Sequence, residues 1–138
     1  MKKNAPKLKP TADTGKIIIP ANAHPWPHEL RVAKILAQTG HTVEFIPKSN
    51  IKTADILLDG IVYEIKSPRS FKTNSLEHIV KGALRQSPNI IIDASYLKNC
   101  QTQRLHNFLS TQARMRKQIK KVIFITKTDK IIDITSLP

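Results

Sequence analysis

Cysteine, aromatic rings and acids are all scarce in this chain, and each shortage excludes something. A single cysteine, Cys100, rules out an internal disulfide and a cysteine-rich zinc site; alone, it reads as a small buried or half-buried hydrophobe. No apolar run approaches the ~18 residues that span a bilayer, so membrane insertion is not expected. Met1-Lys2-Lys3 begins like a secretory leader, but no apolar stretch follows it. The chain therefore reads as one acting in water, in the cytoplasm. Only 10 acids stand against 23 lysines and arginines, a net charge of +13 and a pI near 10.1. Such a charge says nothing about fold but selects partners: nucleic acid first, an acidic membrane surface second. At 138 residues the chain fits one domain.

Residues 1–15 carry Lys2, Lys3, Lys7 and Lys9, two prolines and no apolar periodicity, and read as a flexible basic arm. Residues 16–138 form the single folded domain. Lys16–Ile19 is a short strand stopped by Pro20. The following loop holds the sole tryptophan, Trp26, read as a cap over the core, with base stacking beside His24 and His28 as the alternative. Those two histidines lack the third clustered ligand that zinc needs. His28–Thr39 is a helix with Pro27 before it and Gly40 after it. Its apolar stripe is Leu30, Ala33, Leu36 and Ala37, widened by Val32 and Ile35, and helical phase turns Glu29 inward. His41–Ile46 alternates as a strand. Ser75–Gln86 is a second helix, capped by Asn74 or Ser75, with Gln86 turned towards the sheet. Asn89–Ala94 is a strand covered on both faces. Gln101–Ile119 is a third helix, burying Leu105, Phe108, Leu109, Met115 and Ile119 under a basic exterior that includes Arg114 and Lys117. Two strands, 121–126 and 130–135, close the chain. Helices alternating with such strands make an α/β layer architecture.

The centre of the sequence is Thr53–Ser67. Two runs, Thr53–Leu58 and Ile61–Ser67, flank Asp59-Gly60, a dipeptide whose tolerance of positive φ marks a hairpin. Strand alternation puts Glu64 and Lys66 on one face, with Asp55 beside them if the register allows. Two carboxylates and an amine near a core are costly unless a cation or substrate compensates. Phosphodiester hydrolysis offers such a use. A divalent cation lowers the pKa of bound water and offsets phosphate charge, and Mg²⁺ accepts one or two carboxylates. Asp55, Glu64 and the carbonyl of Ile65 are the candidate metal ligands, for Mg²⁺ first and Mn²⁺ or Zn²⁺ as alternatives. Lys66 then stands where an ammonium orients water and stabilises developing charge. Arg69 and Lys72, in the loop after it, are candidate phosphate contacts with Arg114 and Lys117.

Asp55 followed by Glu64-Ile65-Lys66 on the next strand resembles the PD-(D/E)XK nucleases. The element order over residues 28–94 is also similar to their restriction-endonuclease-like αβββαβ core, here with an added basic helix and two C-terminal strands. That resemblance implies that Asp55 and Glu64 bind metal, that Lys66 is the catalytic lysine, and that Glu29 and Gln86 support them. Ala54 stands where the motif's proline would be. HELRVAKILAQTGHTVEFIP followed by ADILLDGIVYEIKSPRS is similar to the C-terminal nuclease domains of contact-dependent growth-inhibition and related polymorphic toxins, over roughly residues 26–94. This likeness implies cleavage of tRNA or DNA after delivery into a target cell, and neutralisation by an immunity protein, here expected to be acidic. The expectation is thus a metal-dependent endonuclease acting on RNA. The alternatives are a DNA endonuclease of the same fold, a non-catalytic basic binding module in which the hairpin acids form an ordinary ion pair, and a partner-controlled assembly protein.

Overall fold

The computed structural model describes residues 15–49, 51, 53–98 and 101–135. The expected basic arm, Gly15 excepted, and Cys100 lie outside these residues. Seven strands form one mixed sheet in simple chain order. They are β1 (Lys16–Ile18), β2 (Thr42–Phe45), β3 (Ile56–Leu58), β4 (Ile61–Lys66), β5 (Asn89–Asp93), β6 (Lys121–Ile125) and β7 (Ile131–Asp133). Three helices interleave: α1 (Pro27–Gln38) precedes β2, α2 (Thr73–Leu84) joins β4 to β5, and α3 (Thr102–Met115) joins β5 to β6. β1–β2, β4–β5 and β5–β6 are parallel, and the remaining neighbours are antiparallel.

Side-chain alternation divides the core into two layers. Ile91, Ile123 and Ile125 join Val43, Phe45, Ile56, Tyr63 and Ile65 beneath α1. Ile90, Ile92, Val122 and Phe124 face the other way and pack under α2 and α3, against Leu76, Val80, Ala83, Leu105 and Leu109. The near-continuous apolar run of β5 is thereby buried on both faces. At the β3–β4 turn, Asp59 and Gly60 both adopt positive φ, +51° and +83°, the pair of values that lets the strands keep their twist across a two-residue connection. Asp59 then accepts the Thr42 N–H at 2.8 Å and touches His41 Nδ1 at 2.6 Å, tying the turn to β2. Gly15 fits where a Cβ would meet the His41 carbonyl oxygen at 2.0 Å, so the chain passes α1 and β2 there only as glycine.

Four local expectations need correction. β3 begins at Ile56, so Asp55 stands just outside it. α2 starts two residues early, its N-terminal flank is Lys72, and neither Asn74 nor Ser75 supplies the cap. Gln86 lies two residues beyond α2, in the turn to β5. α3 ends at Met115, where Arg116 turns extended. Its buried stripe runs through Leu105, Leu109 and Gln112, and Met115 falls off that stripe, 68% exposed rather than buried.

Candidate active site

β3 and β4 pair only as far as Ile56↔Tyr63. Beyond that pair the ladder opens, and the Asp55 side chain fills the gap. Its backbone N–H donates to the Tyr63 carbonyl at 3.2 Å, while its Oδ2 accepts the Ile65 N–H at 2.8 Å. A carboxylate thus takes the place of a strand neighbour. A strand residue sends its N–H and C=O to the same side, so the Ile65 carbonyl faces the Asp55 edge as well.

Glu64 and Lys66 project from β4 on the α2 side, in register with Ile90 and Ile92. Lys66 Nζ lies 3.2 Å from Glu64 Oε2. The other carboxylate oxygen, Oε1, is buried with no hydrogen-bond partner. Glu64 is only 6% exposed, and burial, followed by the charge of Asp55, pushes its carboxyl up to about 7 despite Lys66.

A third group completes the line of charges, and sequence reasoning missed it. Lys48 Nζ lies 2.7 Å from Asp55 Oδ1 and 3.6 Å from Glu29 Oε2. Burial alone would lower the Lys48 pKa, but the two carboxylates outweigh it and raise it. Glu29 is buried at the first turn of α1, where its Oε1 accepts the Trp26 N–H at 3.0 Å. Burial raises its pKa, with the neighbouring Asp55 adding to the rise. Only the seven-residue spacing from Lys48 to Asp55 offered any hint, and nothing local predicts that pairing.

Lys48, Ser49, Ile51, Thr53, Glu64, Lys66 and Gln86 line an open cleft of about 300 Å³. Ser87 Oγ and Asn89 Nδ2 both donate to the Val62 carbonyl, at 2.8 and 3.0 Å, which fixes the α2–β5 turn against β4 and holds Gln86 at the cleft wall. The structure therefore brings together Glu29, Asp55, Glu64, Ile65, Lys66 and Gln86. It does not add Arg69, Lys72, Arg114 or Lys117 to the cleft lining. Arg69 instead lies over the Tyr96 ring, 5.0 Å from its centroid, and Arg114 Nη2 approaches Thr111 Oγ1 at 3.4 Å on α3. Trp26 is 63% exposed, so it does not cap the core.

Among the described residues, no three or more His, Cys, Asp or Glu side chains are grouped to hold a metal ion. One Glu64 oxygen lacks a partner, and the Lys48 ammonium sits between two acids.

A family model described as contact-dependent growth inhibition CdiA C-terminal domain matches residues 52–131. That span contains Asp55, Glu64, Lys66 and Gln86 and leaves Glu29 and Lys48 outside. Among solved structures, a chain of the CdiA-CT/CdiI toxin and immunity complex from Burkholderia pseudomallei is similar at a TM-score of 0.63 and 16% sequence identity, covering 85% of this chain and 97% of that one. At such identity the likeness speaks for the fold alone. No curated protein matches the chain. The family match covers more than half of the sequence and includes the whole β3–β4 hairpin: the chain belongs to the CdiA C-terminal domains, the toxin domains of contact-dependent growth inhibition.

Proposed function

We propose that this domain is a metal-dependent endonuclease of the PD-(D/E)XK type, its restriction-endonuclease-like core running from α1 to β5, and that its substrate is RNA, tRNA first. The observation carrying this reading is Glu64, a buried carboxylate with one unpartnered oxygen, beside an amine and on the wall of an open cleft. Asp55 and Glu64, with the Ile65 carbonyl, would hold Mg²⁺; Mn²⁺ suits the same oxygens, and Zn²⁺ suits them less for want of nitrogen or sulfur ligands. Such an ion, when bound, supplies a water of lowered pKa and charge to offset the phosphate.

The remaining work falls to this chain's own side chains. Lys66 Nζ, anchored 3.2 Å from Glu64, is positioned to orient water in the cleft and to donate to oxygen charge that develops there. Gln86 offers both a donor and an acceptor at the cleft wall. Glu29 acts through Lys48, holding the ammonium in place against Asp55. The surplus of basic residues holds the phosphate backbone, which makes binding strongly salt-dependent. DNA is the alternative substrate for the same site.

A non-catalytic binding module would have little use for a buried carboxylate with one oxygen left without a partner. Purified protein incubated with tRNA or plasmid, in Mg²⁺, Mn²⁺ or chelator, separates the two. Cleavage should need metal and be lost in Lys66→Ala with binding retained. Binding without cleavage under any metal would leave only the module.

The net charge of +13 fits an acidic immunity protein as partner, and the solved relative is a toxin and immunity complex. We place the site of action in the cytoplasm of a target cell after delivery. Among the described residues, no helix is long and apolar enough to cross a membrane.

A further inference from the structure

We propose that Arg69 and Tyr96 form a stacking platform for an unpaired nucleobase at the Lys66 end of the cleft, so that the substrate is a strand with at least one unstacked base near the scissile phosphate. The inference rests on the endonuclease reading and deepens it.

The chain has four Phe, two Tyr and one Trp. Phe45, Tyr63 and Phe124 are buried in the core. Three of the others gather on one surface. Arg69 lies over Tyr96, 5.0 Å from the ring centroid. Arg104 lies over Phe71, 4.4 Å from its centroid. Phe71 packs edge-on against Phe108, at 6.0 Å and 71°. The loop after β4 thereby contributes to two arginine–aromatic pairs, one with the turn after β5 and one with α3.

Position ties this surface to the site. Arg69 follows Lys66 by three residues, so their Cα atoms are within ~11 Å. Tyr96 follows the end of β5 by the same interval, and β5 pairs with β4 at Lys66↔Ile92. Tyr96 is 37% exposed, with Arg69 itself exposed above it.

The chemistry favours a base over a phosphate alone. A phosphate contact needs only a charged tip and has no use for an aromatic ring beneath it. A base offers a π face that stacks on tyrosine or on guanidinium, whatever its sequence. A duplex keeps its bases stacked inside and offers the platform only backbone.

The test uses the full chain in chelator, so that nothing is cleaved, with a fluorescently labelled single-stranded RNA and a blunt duplex of the same sequence. Tyr96→Ala should weaken single-strand binding about tenfold and duplex binding less than twofold, with an unchanged salt slope. Tyr96→Phe, which keeps the ring, should bind both as the wild type does. Arg69→Ala should weaken the single strand and also lower the salt slope by about one ion, having lost a charge as well. A thermal melt of each variant confirms folding. Wild-type single-strand affinity in Tyr96→Ala, or an equal loss on single strand and duplex, would overturn the platform. The endonuclease reading is judged separately, by whether the wild type cleaves in Mg²⁺.

Discussion

Glu64 and Asp93 are buried carboxylates on neighbouring strands of one sheet, and the protein treats them in opposite ways. Asp93 is fully buried, with Arg31 Nη1 at 3.1 and 3.3 Å from its two oxygens and the Ser95 N–H at 3.1 Å. Arg31 also reaches Asp129 in the β6–β7 turn, so the cluster ties α1 to the end of β5 and to that turn. Glu64 is paired with Lys66 on one oxygen, feels the like charge of Asp55, and leaves its other oxygen without a hydrogen-bond partner. Burial of a carboxylate therefore does not by itself mark a functional group. Asp93 is satisfied and acts as a structural tie, whereas Glu64 stands short of partners on the wall of the cleft.

The largest effect expected from breaking this contrast is on chemistry. Lys66→Ala or Glu64→Gln should lower the cleavage rate about 10²- to 10³-fold, measured as fragments from tRNA at saturating substrate. Asp93→Ala should do the reverse. Its damage is to stability, about 2 kcal/mol in chemical denaturation, less than the ~3–5 of a fully buried pair because Arg31 is partly exposed. Cleavage per folded molecule should stay near the wild-type value.

A smaller effect follows Glu64 with pH. The Glu64 carboxyl stands at about 7 when folded, against 4.5 as its ordinary value. Between those values the folded chain binds a proton that the unfolded chain has released. Metal-free stability should therefore fall as pH rises from about 4.5 to about 7 and level off above it. Glu64→Gln should abolish that component and, at pH 8, be more stable than the wild type by up to roughly 3 kcal/mol. Denaturation midpoints at several pH values check both. The smallest effect belongs to Lys48→Ala, which removes a half-exposed ammonium from Asp55 and should cost under ~1 kcal/mol.

How much of this was legible in the sequence depended on how local each feature is. Asp59-Gly60 announces its hairpin because the needed φ values belong to those two residues alone. Glu29 is readable as inward from helical phase, and Glu64 with Lys66 from strand alternation. Asp55 is different. Alternation places it within a strand, but its carboxylate substitutes for a ladder neighbour at the point where β3 leaves β4, a departure no periodicity encodes. Lys48 was invisible because its partners, Asp55 and Glu29, meet it only once α1 is packed against the sheet. Arg69 was legible as a charge near the site but not as a ring partner, since Tyr96 lies on another strand's exit. Met115 failed because the buried stripe of α3 runs through Leu105, Leu109 and Gln112, and helical phase carries Met115 off it.

The central contrast can be measured at the atom concerned. Carbon-13 NMR titration of the Glu64 carboxyl, with and without Mg²⁺, should give a midpoint near 7 in the metal-free protein, falling to the ordinary carboxylate range or below when Mg²⁺ is added. A midpoint near 4.5 without metal, or one that Mg²⁺ leaves unmoved, would contradict the claim that Glu64 is held in readiness for a cation.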